Sequence, residues 1–154
     1  MGASPPLQTK SRRTGSTEEA VFLDLVRTSD ALSRPVAQLL KSEDLSATQY
    51  NVLRILRGTP EGLTCGEIGN RMITRDPDIT RLLDRLEKRH LVSRCRETKD
   101  RRLVLTRIGP EGLELLARLD EPVQATHRKL LGHLGKERLW MLAGLLAACR
   151  GEDG

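Results

Sequence analysis

Apolar side chains recur at helical spacing along most of the chain, and the pattern breaks at a few junctions rich in Gly, Pro and small polar residues. Val21, Leu25, Thr28, Leu32, Val36, Leu39 and Leu40 fall on one face of a helix. Ser16 and Glu19 form a capping-box pattern that opens it, and it ends near Ser42. Pro35 lies inside and is expected to kink or split the helix. A second capping box, Ser46 to Gln49, opens a helix carried by Tyr50, Val52, Leu53, Ile55 and Leu56 and stopped at Gly58. After the turn Thr59-Pro60-Glu61-Gly62, a third capping box, Thr64 to Glu67, opens a short helix that buries Ile68 and Met72.

Ile73-Thr74-Arg75 then turns into the stretch around which the chain is organised. Ile79, Leu82, Leu83 and Leu86 fall at i, i+3, i+4 and i+7, so one face is apolar. Thr80, Arg81, Asp84, Arg85 and Lys88 lie elsewhere on the wheel and stay wet. Asp76 is the expected N-cap, with Pro77 at the first helical position. The helix is expected to end near Arg89-His90. Two short strands follow, Leu91 to Glu97 and Leu103 to Ile108, joined by the polar tip Thr98-Lys99-Asp100-Arg101-Arg102. A short helix, a polar-faced helix and a basic hairpin in that order predict a helix-turn-helix with a wing.

The remainder is helical. Gly109-Pro110-Glu111 starts a helix with Leu113, Leu116, Leu119 and Val123 on its face. Pro122 is expected to interrupt it before the pattern resumes through Thr126, Leu130 and Leu131. Gly135 separates a last helix bearing Leu139, Leu142, Leu145, Leu146 and Cys149. These terminal helices are more apolar than a small winged helix needs, and a symmetric homodimer would cover the excess. The predicted fold class is therefore mainly α with a small β-wing. It has a disordered basic arm at 1–15 and a single domain at 16–150. Within that domain, dimerisation helices at 16–43 and 110–150 flank a winged helix-turn-helix at 46–109.

Charge sharpens this picture. The 154 residues carry a formal +5, and residues 71–102 hold eleven Lys/Arg against six Asp/Glu, so the whole excess sits in the helix-turn-helix and wing. A basic block on a neutral body is an electrostatic footprint for nucleic acid, although a solvated surface of scattered charge would give the same count. With Phe22, Tyr50 and Trp140 as the only aromatic residues, stacking platforms for single strands or RNA are not expected. The polar face of the Ile79–Lys88 helix is thus assigned to the major groove of double-stranded DNA.

The other chemistry is sparse. Cys65, Cys95 and Cys149 form no CxxC or Cys/His cluster, which fits a reduced cytoplasmic setting. Cys65 reads as a buried structural residue, with Cys95 and Cys149 more inert still. His127 and His133 do not share a helical face, so no metal site is expected, and His90 reads as a surface residue. No apolar run reaches the roughly 18 residues of a membrane span, and the N-terminus has no apolar signal core. No catalytic triad order, phosphate-cradling Gly loop or paired catalytic carboxylates is present, and neither enzymatic activity nor a cofactor is expected.

The chain resembles the MarR family of bacterial transcriptional regulators over roughly residues 18–150. The resemblance rests on several stretches in order: Leu45 to Leu53, Leu63 to Gly69, Ile79 to Lys88, the Asp100-Arg101-Arg102 signature of the wing, and Pro110 to Leu113. It departs at His90, where the family has Gly. His tolerates positive φ poorly, so a different exit from the helix is expected. Gly109 and Gly135 stand where the family has capping Thr or Ser, and Gly is an acceptable cap.

The resemblance implies a homodimer on a pseudo-palindromic operator, with two recognition helices about one DNA turn apart, roughly 34 Å. Thr80, Arg81 and Arg85 are then the contacts along the helix, with Thr74, Arg75 and Asp78 at its N-terminal end. Asp78 would accept from a base amino group or hold an Arg in place. On the wing, Arg102 would enter the minor groove, fixed by Asp100, while Lys99 and Arg101 face the backbone. Arg71, Arg89 and Arg94 read instead as salt-bridge partners. The resemblance also implies a pocket for a small aromatic acid effector and hence a ligand-responsive repressor. Two alternatives stand beside it: a winged-helix module that binds protein rather than operator, and a regulator that senses redox state through cysteine.

Overall fold

The computed structural model describes residues 15–152, so all of the predicted arm except Gly15 lies outside the described residues. The chain forms two compact units, Met1–Arg34 and Pro35–Gly154. Helix α1 (Thr17–Lys41) supplies the described part of the first unit. Ser16 Oγ accepts the Glu19 N–H at 3.1 Å, as the capping pattern predicts. Leu25 is half-buried, but Val21, Phe22, Leu23 and Val26 are exposed. The helix is not split at Pro35. Pro35 and Ala31 are both exposed, so the carbonyl that loses its i+4 partner can bond to water.

The second unit continues with α2 (Ala47–Arg57), α3 (Cys65–Arg71), α4 (Ile79–Lys88), β1 (Val92–Arg96), β2 (Val104–Ile108), α5 (Pro110–Leu131), a 3₁₀ turn (Gly132–Leu134) and α6 (Lys136–Cys149). Both predicted capping boxes form completely, at Ser46/Gln49 and Thr64/Glu67, and Gly58 caps α2. These bonds satisfy backbone N–H groups that a helix start leaves without partners. The strands pair antiparallel, Val92 opposite Ile108 through Arg96 opposite Val104. Leu63 adds a bridge: its N–H and carbonyl bond Thr106 at 3.0 and 2.8 Å.

One core holds this unit together. Leu40, Val52, Leu53, Leu56, Ile68, Leu83, Leu86, Leu116 and Val123 are essentially fully buried in it. Each such side chain contributes about 1.5–3 kcal/mol of burial, which is why the apolar stripe of α4 fixes which of its faces looks outward.

Three expectations are corrected. Helix α4 begins at Ile79 with Asp78 as its cap, not at Pro77 with Asp76. The Asp76 carboxylate accepts the Asp78 N–H at 2.8 Å, which closes a turn ahead of the helix. Helix α5 is not interrupted at Pro122; Pro122 is exposed, and Thr126 Oγ1 donates to its carbonyl at 2.9 Å. Leu113 is exposed, and Leu115 takes its place in the core.

The exit from α4 also differs from expectation. His90 adopts φ +58°, the left-handed conformation Gly would take. Leu91 N–H reaches the Leu86 carbonyl (3.1 Å) and His90 N–H reaches that of Glu87 (2.9 Å), which is a Schellman closure. Buried Leu91 and Leu86 accompany it and hold the strained residue in place. His90→Gly is therefore expected to stabilise the fold by about 0.5–1 kcal/mol, the left-handed cost less the backbone entropy of Gly. A urea titration should show a higher midpoint at unchanged slope. An unchanged or lower midpoint would mean that His90 carries no strain.

Candidate nucleic-acid interface

The packing of α4 against the core presents Thr80, Arg81 and Arg85 to solvent. Thr74, Arg75 and Asp78 are exposed just ahead of it. Asp78 lies 3.4 Å from Arg81, so one of the two roles expected of it, holding an Arg, is present in the structure. Across from this end of α4 stands the N-terminus of α2. Together Ser46, Thr48, Gln49, Asp76, Asp78, Arg81, Leu82 and Arg85 line a polar cleft of about 140 Å³. The Ser46 and Gln49 side chains were legible only as caps. Their place beside Arg81 and Arg85 depends on how α2 crosses α4, which no local pattern encodes.

The wing carries the second group. Asp100 accepts from the Arg102 backbone N–H at 3.1 Å and from its Nε at 3.2 Å, as the sequence predicts. Arg96 donates to the Arg101 carbonyl at 2.8 Å and stiffens the tip. Lys99, Arg101 and Arg102 are exposed, and the Arg102 side chain is 92% accessible although tethered. A cation held in place on an exposed tip has less freedom to lose when it meets an anion.

Other arginines of the basic block are engaged within the fold. Arg71 donates to Thr59 Oγ1 at 3.0 Å, and Arg89 to the Asp44 and Glu43 carbonyls at 2.7 and 3.0 Å. Arg94, on β1, bonds both Asp84 and Glu87 of α4, and Glu87 also accepts the Arg94 backbone N–H at 3.0 Å. The Arg94 guanidinium holds the Glu87 carboxyl below its ordinary range. Sequence reasoning placed Arg94 among the salt-bridge partners but missed what it does: it braces the wing against the polar-faced helix. In the same way Arg57 of α2 grips Asp120 of α5 with bonds of 2.8–3.0 Å, and its guanidinium lowers the Asp120 carboxyl. Arg75, Arg85, Lys99 and Arg101 make no such bond among the described residues, so their charge faces outward.

All three cysteines are free thiols. Cys65 packs against the core, as a structural residue does. Cys65 is half-buried, whereas Cys95 and Cys149 are exposed, Cys95 with Arg107 Nη1 3.0 Å from its sulfur. Cys95 points away from the core because strand alternation gives the inward positions to Val92 and Arg94. Among the described residues no group of His, Cys, Asp or Glu could hold a metal ion. No helix among them is long and apolar enough to cross a membrane.

The sequence profile of the MarR family matches residues 45–104, the span that contains α2 through the start of β2. The solved MarR transcription factor of Planctomyces limnophilus is 40% identical to this chain, covers 89% of it and is itself 99% covered, with a TM-score of 0.67. The chain belongs to the MarR family. The HTH-type transcriptional regulator FarR of Neisseria gonorrhoeae is 28% identical over 136 residues, 87% of this chain and 91% of FarR. The transcriptional repressor CouR, solved bound to a 23-mer DNA duplex, is 26% identical with a TM-score of 0.79, covering 91% of this chain and 99% of its own. The MarR-family relatives are transcriptional regulators, not enzymes. The observed fold, mostly helical with a two-stranded wing, is theirs.

Proposed function

We propose that this chain is a ligand-responsive repressor that binds a pseudo-palindromic operator as a homodimer. The observation that carries this reading is the outward row Arg81 and Arg85 on α4, together with Arg102 held by Asp100 on the wing. Cations at two separated points of one rigid unit suit a duplex, which offers phosphate and base edges at matching depth. The duplex in the CouR structure supports the same partner.

In this reading Thr80, Arg81 and Arg85 contact bases or phosphates in the major groove. Thr74, Arg75 and Asp78 act at the helix N-terminus, where the dipole favours phosphate. Arg102 enters the minor groove, and Lys99 and Arg101 follow the backbone. The homodimer is supported by α6, where Trp140, Met141 and Leu145 are 78%, 66% and 62% exposed and no residue is buried. Such an apolar face in water calls for a partner surface, and a second copy is the simplest one. Residues 16–150 then act as one regulatory domain in the cytoplasm. The small aromatic effector rests on the family resemblance.

Selection of duplexes from a random pool, followed by sequencing, tests this reading. An enriched inverted repeat with half-sites about one turn apart is the expected result. Weak, salt-sensitive binding without enrichment would overturn it in favour of a protein-interaction module.

A further inference from the structure

We propose that Ile73 is a specificity residue that reads thymine, packing its side chain on a C5-methyl group in the major groove. The proposal rests on the duplex-binding reading above.

Ile73 is 88% exposed, more than any other large exposed apolar side chain of the chain's described residues. The others lie on α1, α5 and α6 or on the wing. Ile73 stands instead in the loop between α3 and α4, directly after buried Met72 and directly before Thr74 and Arg75. No part of this unit covers it.

The loop that carries Ile73 is fixed at both ends. Asn51 Oδ1, from α2, accepts the Ile73 backbone N–H at 2.9 Å, and Asp76 closes the turn into α4 by accepting the Asp78 N–H. The side chain is β-branched and stiff at χ1, so it is presented rather than left to sample rotamers. A helix that enters the major groove by its N-terminal end brings the preceding loop to the same groove. There, only thymine offers a methyl group, and an apolar side chain is the group that can read it. Thr74 and Arg75 beside it supply polar and charged contacts but only one further methyl, that of Thr74.

The test uses the full chain and the duplex recovered by selection. Each half-site thymine is replaced in turn by deoxyuridine, which deletes the C5-methyl and nothing else, and the series is repeated with Ile73→Ala. At one position the wild-type protein should lose about fourfold in affinity, the worth of one buried carbon. Ile73→Ala should show no further loss at that position and the wild-type losses elsewhere. The same uracil pattern in both proteins would overturn the assignment. So would an altered oligomeric state of Ile73→Ala with that pattern intact, since Ile73 would then face a second copy. Absence of any selective duplex binding by the wild type would sink the duplex-binding reading itself, a failure distinguishable from the other two. The substitution lies on the surface and leaves the core intact.

Discussion

Gly112→Ala is expected to cost about 2 kcal/mol of stability, although Ala is the better helix former. Gly112 is buried in the first turn of α5. A Cβ there would meet the Leu91 carbonyl oxygen at 2.4 Å and Ile108 Cγ1 at 2.8 Å. The nearer obstacle is backbone and cannot rotate away. That same Leu91 carbonyl accepts the Gly109 N–H at 2.9 Å, so the start of α5 is pinned to the base of the wing at this point. An added methyl must push the helix and the hairpin apart, and overpacking of this kind costs about 1–3 kcal/mol. Helix propensity alone would give a gain of about 1 kcal/mol. The sign of the change therefore decides the matter. Chemical denaturation of Gly112→Ala should show a lowered midpoint. Gly66→Ala, in α3 with nothing within 4 Å of its added Cβ, should be neutral or slightly stabilising. A Gly112→Ala protein as stable as the wild type would mean that α5 and the wing are not in close contact.

This junction also marks the limit of what the chain reveals when read as a string. The capping boxes at Ser46 and Thr64 were legible because cap and partner lie three residues apart, and the bond between them is a local matter. The Asp100–Arg102 contact was legible for the same reason. Asp76 shows where locality becomes ambiguous: one carboxylate accepting the N–H two residues on serves equally for a helix cap and for a turn ahead of one. The choice fell to the packing of Ile79 and Leu82, which places the first helical turn later. Leu113 and Leu115 pose a similar problem, since both are apolar and only the angle at which α5 meets the core decides between them. The Arg57–Asp120 grip spans 63 positions, and the Leu63–Thr106 bridge joins a loop to a strand. Neither leaves a periodic trace. In the candidate interface the cationic residues were legible from the helical wheel of α4, the basic block and the family resemblance together, whereas Arg94 as a brace, the cleft wall at Ser46 and Thr48, and the Asn51 anchor of Ile73 all depend on how helices cross.

Arg102→Ala is expected to weaken operator binding about 30-fold, or ~2 kcal/mol, without altering the fold. The two halves of that expectation have separate causes. The side chain is 92% exposed and its partners are a single carboxylate and its own tether, so removing it costs little stability. Its value lies in the complex. A narrow minor groove concentrates negative potential, and a guanidinium inserted there is desolvated on both sides. Asp100 orients the Arg102 side chain before DNA arrives, so Asp100→Asn should lose a smaller part of the affinity than Arg102→Ala. Fluorescence anisotropy over a range of salt concentrations should show the Arg102→Ala dependence reduced by about two units of slope, as expected for the loss of one phosphate-proximal cation from each wing of the dimer. The loss should be greatest on sites that are A/T-rich beneath the wing, where the groove is narrowest, and smaller where G·C pairs widen it. A loss equal on all flanks would reassign Arg102 to the phosphate backbone. An affinity within twofold of the wild type on every flank would take the wing tip out of the interface and leave recognition to α4 and the loop that precedes it.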